Sequence, residues 1–408
     1  MSLKSIPVLI LIWTILGYSC GNSVEENQTL SFTQWVGTWN TAPQLVEPRN
    51  MPPEPGLSNN TLRQVVRVSI GGDSLRVRLS NEFTNESVTI QSANIALSLG
   101  DSKIDTTTLL PLTFEGRTSV TMDSGALITS DPFKFDLKAR TDVALTVYFG
   151  ETSQNLTGHP GSRTTSFIVE GDVSTSAELS EAVKADRWYV INGIDVKVAD
   201  SAASIVILGN SITDGRGSGT NKQNRWPDIL SERLVNNPST SHLSVLNQGI
   251  GGNCVLKFCL GPSALDRFDR DVKRQAGAKW LIILEGVNDL GGTKSAEEAD
   301  MVADGLISAY QQMIDSAHSI DIKVYGGTIL PITKSFYYQD FRETARQKVN
   351  EWIRTSGKFD AVIDFDLTMR NPEDTLVIGS DLHDGDFLHP NEKGYQRMGE
   401  SIDLSLFQ

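Results

Sequence analysis

Ser204-Ile205-Val206-Ile207-Leu208-Gly209-Asn210-Ser211-Ile212-Thr213-Asp214-Gly215 is the stretch whose reading decides the fold of the second half of this 408-residue chain. The apolar run reads as a buried strand, and Ser211 follows it on a glycine-flanked turn. In an open parallel sheet, chemistry collects just beyond the carboxyl ends of the strands. A hydroxyl in that position becomes a nucleophile if a base reaches it; otherwise it merely closes a turn through its own backbone.

The rest of this half repeats the pattern. Strand-like runs at Ile205–Leu208, Val245–Leu246, Trp280–Leu284, Val324–Ile329 and Val362–Phe365 alternate with helix-like stretches at Trp226–Val235, Ala264–Gln275, Ala296–Ser319, Phe341–Thr355 and Asn391–Ile402. Strands alternating with helices specify a parallel, doubly wound α/β sheet. Residues 31–198 follow a different grammar. Leu62–Ile70 alternates, Gly71-Gly72-Asp73 turns, and Leu75–Leu79 alternates again; Val88–Ser98, Ser119–Met122, Phe133–Leu137, Val143–Phe149, Thr165–Glu170 and Trp188–Val196 are further strand candidates. Short alternating strands separated by turn residues predict an all-β sandwich, jelly-roll-like. Trp35 and Trp39 offer either core or a sugar platform, and core is the expectation.

The net charge is −14, with 39 % apolar and 21 % charged residues. That balance is globular, and its sign argues against a nucleic-acid partner. It argues equally against an acidic polymer unless the fold hides a local basic patch. At the amino end, Lys4 precedes an apolar run from Ile6 to Leu16, too short to span a bilayer, which reads as a signal peptide. The segment closing on Cys20 resembles a bacterial lipoprotein cleavage site, with Gly17 where leucine is commoner. This divides the chain into a leader (1–20) with lipidation at Cys20, a tether (21–30), the β-sandwich (31–198) and the α/β domain (199–408). The expected localisation is export, as a membrane-anchored lipoprotein or a periplasmic or secreted protein. Cys254 and Cys259 are either bridged or a pair of buried thiols.

Four blocks in order carry a family resemblance: Gly209-Asn210-Ser211; the glycines of Asn247-Gln248-Gly249-Ile250-Gly251-Gly252-Asn253; Gly286-Val287-Asn288-Asp289; and Asp386-Phe387-Leu388-His389. Residues 204–402 resemble the SGNH (GDSL-type) hydrolases, and the flanking segments resemble a subgroup of secreted cell-wall-polysaccharide esterases with an N-terminal β-domain. The resemblance implies a flavodoxin-like three-layer fold and a cofactor-free serine esterase. It assigns Ser211 as nucleophile, His389 as base and Asp386 as its orienting acid. The amides of Ser211 and Gly252 and the Asn288 side chain become the oxyanion hole, with Gly251 the rival to Gly252. Asn210 departs from the Asp usual before the serine. Asp381, His383 and Asp384 raise a metal alternative, but their spacing defines no ligand set, and His159, His242 and His318 add none; no metal is expected. Gly215-Arg216-Gly217-Ser218-Gly219 lacks phosphate-loop spacing and reads as a mobile rim loop. The implied substrate is an acetylated polysaccharide or oligosaccharide. The alternatives are a lipolytic esterase or thioesterase, or a carbohydrate-binding surface lipoprotein whose hydrolase half has decayed.

Overall fold

The change of pattern near residue 200 is a change of sheet type. The computed structural model describes residues 32–408; the expected leader, Cys20 and the tether lie outside the described residues. In the second half the strands run across one parallel sheet in the order Leu243–Gly249, Ala203–Gly209, Ala278–Leu284, Lys323–Gly327, Ala361–Ile363. Numbered along the chain this is the flavodoxin-like order, which reverses beside the strand Ala203–Gly209. Side chains of that buried strand alternate between two cores. Ile205 and Ile207 face Trp226, Leu230 and Tyr395 on one side, while Val206 and Leu208 face Leu306, Met313 and Val349 on the other. The helices in chain order are α1 (Ser211–Asp214), α2 (Trp226–Val235), α3 (Ala264–Phe268), α4 (Val287–Gly291), α5 (Ala296–His318), α6 (Asp340–Thr355), α7 (Phe365–Met369) and α8 (Glu392–Ser401). Several boundaries differ from the sequence reading, two of them for visible reasons. Phe365 opens α7 instead of ending a strand, because Asp364 caps a helix there through Leu367 N. The single helix expected over Ala264–Gln275 divides into α3 and a π turn over Asp269–Lys273.

The first half is antiparallel and β-rich. One sheet runs Phe32–Asn40, Ile191–Ala199, Gly72–Ser80, Phe133–Leu137. A second runs Val183–Ala185, Ser166–Glu170, Asn60–Arg67, Asp142–Phe149, Val88–Gly100, with shorter strands added at its far side. Leu75, Val77 and Leu79 from the first sheet and Leu62, Val66 and Leu145 from the second share one apolar core. Trp39 belongs to that core, edge-on to Trp188 at 5.0 Å, and Trp35 lies under the Arg76 guanidinium. The run expected as one strand from Trp188 to Val196 breaks at Val190, whose φ of +65° lies in the left-handed region, a conformation β-branched residues rarely tolerate.

The two sheet systems are joined by buried polar contacts. The Gly37 amide donates to Ala276 O at 2.9 Å, and a Cβ at Gly37 would strike Leu246. Asn40 Nδ2 donates to Gln275 Oε1 at 2.9 Å and Gln248 Nε2 donates to Asn40 Oδ1. Ser69 Oγ accepts from Val245 N at 2.9 Å and lies 2.8 Å from Ser231 Oγ. Residues 32–408 accordingly form one compact unit.

Candidate active site

Four segments build the site: the turns after Ala203–Gly209, Leu243–Gly249 and Ala278–Leu284, and the loop that precedes α8. Asn210 caps α1, its Oδ1 accepting from Ile212 N at 3.1 Å, and this brings Ser211 to the start of the helix. The turn is tight: a Cβ on Gly209 would collide with Thr213, and one on Gly249 would collide with the backbone of Thr213 and Asp214. Ser211 Oγ lies 2.9 Å from His389 Nε2. His389 Nδ1 lies 2.6 Å from Asp386 Oδ2, while Asp386 Oδ1 accepts the amides of Leu388 and His389 at 3.0 and 2.9 Å. The acid thus holds both the backbone and the ring of His389. Between them Phe387 adopts φ +57°, a left-handed conformation costing about 1–2 kcal/mol that those two amide bonds help secure.

Burial lowers the basicity of the His389 ring, and the charges of Arg216 and Arg163 add to this. The hydrogen bond and charge of Asp386 oppose it, and the net result lies below the ordinary histidine value. For Asp386, partial burial works against ionisation, but the His389 ring and the two amides outweigh it and hold the carboxyl below the usual carboxylate range. Nδ1 therefore carries the proton toward Asp386, and Nε2 is the lone pair facing the serine.

Gly252 and Asn288 reach the same cleft as Ser211 and His389. Among the described residues, the Ser211 and Gly252 amides have no hydrogen-bond acceptor. Asn288 is fixed at both ends of its amide: Nδ2 donates to Asn253 O at 2.7 Å, and Oδ1 accepts from Tyr337 Oη at 2.8 Å. That leaves one Nδ2 hydrogen uncommitted. Gly252 has φ +72°, and a Cβ there would press on Leu260, so a side chain would strain the loop and crowd the cleft. The loop is held from behind. Asn253 Nδ2 donates to the carbonyls of Leu260 and Pro262, Asp289 accepts the amides of Val255 and Leu256, and Cys254 is bridged to Cys259. The bridge resolves the alternative left by the sequence.

The Asn210 departure has a physical partner. Asn210 Nδ2 donates to Glu285 Oε2 at 3.2 Å. Glu285 is buried; desolvation, aided by Asp289 and opposed by Arg267, Asn210 and the Gly286 amide, pushes its carboxyl up to about 8. An aspartate at 210 would set a second carboxyl against this one. Arg267, also buried, ties the strand ends together by donating to Gln248 O at 2.6 Å, Gly209 O at 3.0 Å and Asn253 Oδ1 at 3.0 Å.

The cleft, about 390 Å³, is walled by both halves of the chain. The β-rich half supplies Gln44, Glu47, Arg49, Asn50 and the loop Pro160, Gly161 and Arg163. That loop is anchored on Asp214, the last residue of α1. His159 Nε2 lies 2.9 Å from Asp214 Oδ1, and His159 Nδ1 lies 2.9 Å from Ala42 O. Both ring nitrogens lie within hydrogen-bond distance of an oxygen. Both side chains are buried. Sequence reasoning had set His159 aside and assigned nothing to Asp214, although Asp214 lay inside the first quoted block. Tyr337, Glu285 and Arg267 were likewise missed. The segment expected as a mobile rim loop is fastened: Arg216 N donates to Ser211 O at 2.9 Å and Tyr395 Oη to Arg216 O at 2.7 Å. His383 Nδ1 accepts the Gly385 amide at 3.0 Å and Asp381 pairs with Lys393, so these members of the metal alternative are engaged elsewhere. Among the described residues, no group of three or more His, Cys, Asp or Glu is arranged to hold a metal.

The segments carrying Ser211, Gly252, Asn288 and His389 all fall within residues 207–397, which match the model of the GDSL-like lipase/acylhydrolase family. Against the letters G-D-S-L of that family's name this chain has Gly209-Asn210-Ser211-Ile212, differing at Asn210 and Ile212. No curated protein matches the chain. Among solved structures, the chain is similar to a member of the lipolytic protein G-D-S-L family from Veillonella parvula (21 % identity, covering 49 % of this chain and 96 % of that one, TM-score 0.37). It is also similar to a GDSL-like lipase from Bacteroides thetaiotaomicron (20 %, 50 % and 87 %, 0.37). A third is a catalytic mutant of Axe2, an acetylxylan esterase from Geobacillus stearothermophilus (18 %, 49 % and 92 %, 0.38).

Proposed function

We propose that this protein is a serine esterase that removes acetyl groups from a polysaccharide or its oligosaccharides. One observation carries the chemistry: the unbroken chain from Ser211 Oγ to His389 Nε2 and from His389 Nδ1 to Asp386. In this reading Ser211 Oγ attacks the ester carbonyl while its proton passes to Nε2. The carbonyl oxygen gains the electron pair and meets the amides of Ser211 and Gly252 and the uncommitted hydrogen of Asn288 Nδ2, donors that need no rearrangement as charge develops. Collapse breaks the ester C–O bond, and His389 returns its proton to the departing alcohol. Water, deprotonated by the same nitrogen, then releases the acid from Ser211. Asp386 orients the ring and stabilises its charged form throughout. No step needs a cofactor.

Carbohydrate is favoured over a lipid by the rim. Phe336 presents an aromatic ring 63 % exposed beside Tyr337, a surface suited to the apolar face of a sugar, and most of the remaining lining is polar or charged, with Leu260, Leu388 and Pro160 among it. Export is part of the proposal, supported by the Cys254–Cys259 bridge, since disulfides persist in oxidising compartments. The experiment is acetate release from acetylated polysaccharides, with fluorophosphonate labelling of Ser211 in parallel. The expected outcome is labelling together with acetate release, both lost in Ser211→Ala. Labelling without acetate release, but with turnover of acyl esters or thioesters of longer chain, would refute the carbohydrate reading. Absence of labelling would refute the serine mechanism and favour a binding protein.

A further inference from the structure

The role of the β-rich half is the question this cleft answers most directly, because that half delivers charge to it. Arg49 stands in the turn Pro48–Asn50, and Arg163 in the loop anchored by His159; Arg216 comes from the other half, two residues beyond α1. All three line the cleft with Ser211 and His389. Among the described residues, no carboxylate lies within 4.0 Å of the Arg49 or Arg216 guanidinium, and Arg163 reaches only Asp214 Oδ2, at 3.9 Å. The Arg163 Nε is buried without an acceptor. Glu47, the acid on the same wall, is already engaged by Asn50 Nδ2 at 2.7 Å and Gln44 Nε2 at 3.3 Å.

This collection is out of character for a chain of net charge −14. The overall field repels anions, so a cationic site here is a local construction made by bringing two halves together. The charges of Arg163 and Arg216 also reach His389 and weaken it as a base. In the free enzyme that is a cost to catalysis, and a bound anion would relieve it. Guanidinium groups suit carboxylates because their planar donors match both oxygens.

We propose that the cleft selects ester substrates that carry a carboxylate near the scissile bond, with Arg49, Arg163 and Arg216 as the specificity-determining cations and the β-rich half as the source of two of them. In the carbohydrate reading, on which this rests, the substrate is an acetylated saccharide containing uronate residues. The test compares an acetylated, uronate-containing oligosaccharide with its carboxyl-reduced, still acetylated counterpart. At low salt the wild type should show kcat/KM about 10-fold higher on the charged form, as for a hydrogen bond to a charged group. Arg163→Gln and Arg216→Gln should each lower that ratio by roughly 3-fold or more, chiefly through KM, and the double variant should abolish it. Raising salt from about 0.01 to 1 M should shrink the ratio, since the Debye length falls roughly tenfold. Fluorophosphonate labelling of each variant reports that the site is folded. Equal rates on the two substrates, with acetate released from both, overturn the inference and leave the esterase standing. A preference that survives in the double variant overturns the arginine assignment. Failure to deacetylate either substrate overturns both.

Discussion

His159→Leu removes the link between the β-rich half and the nucleophile turn while keeping most of the side-chain volume. Asp214 is 3 % exposed and His159 5 %, so the variant leaves a carboxylate out of water with its nearest cation, Arg163, at 3.9 Å. Ala42 O loses its donor as well. Leaving a buried polar group without its partner costs about 1–3 kcal/mol, more when the group is charged. That is a large fraction of the roughly 5–15 kcal/mol that keeps a protein folded. Asp214 closes the helix that Ser211 opens, so the disturbance should reach the nucleophile; displacement of reacting groups by about 1 Å costs on the order of 10²-fold in rate. The assay is urea unfolding followed by tryptophan fluorescence, read from the midpoint at constant slope, with kcat on p-nitrophenyl acetate alongside. Asp214→Asn placed on top of His159→Leu should recover part of the lost stability, because the unpaired charge is gone. A loss below about 1 kcal/mol for His159→Leu, or costs that simply add in the double variant, would refute the argument that the pair acts as one buried unit.

Asn288→Ala removes a donor from the cleft and frees Tyr337 Oη. We expect kcat to fall roughly 10²- to 10³-fold with little change in KM, measured by steady-state kinetics. The acid limb of kcat/KM should fall with one apparent pKa below the ordinary histidine value of about 6.5. The sign follows from the site: burial, Arg216 and Arg163 favour neutral imidazole more than Asp386 favours its charged form, so the active base survives to lower pH. Substituting Arg216 by Gln should move that limb upward, and a pH–rate profile of the two proteins checks both statements.

The parallel sheet was legible because its strands are buried on both faces and read as unbroken apolar runs. The pairing of Asp386 with His389 was legible because three residues separate them, and the turn does the rest. Asn288 and Gly252 could be placed only by resemblance, since nothing local distinguishes a turn glycine or asparagine from a functional one. His159 was invisible for a different reason. Its meaning depends on Asp214, 55 residues away on the other half of the chain, and no periodicity encodes a contact between two sheets. Tyr337 acts on Asn288 across 49 residues in the same way. Val190 broke an expected strand because its φ is dictated by what surrounds it, against its own propensity.

The contact between Asn210 and Glu285 makes the two positions interdependent. With Glu285 in place, an aspartate at 210 would confront a buried acid, and the two would have to share a proton. With glutamine at 285, the same aspartate would find a donor waiting. A substitution at either position is therefore felt at the other. A sequence filter that rejects this chain for its asparagine judges one half of a pair, and the half it ignores lies 75 residues further along.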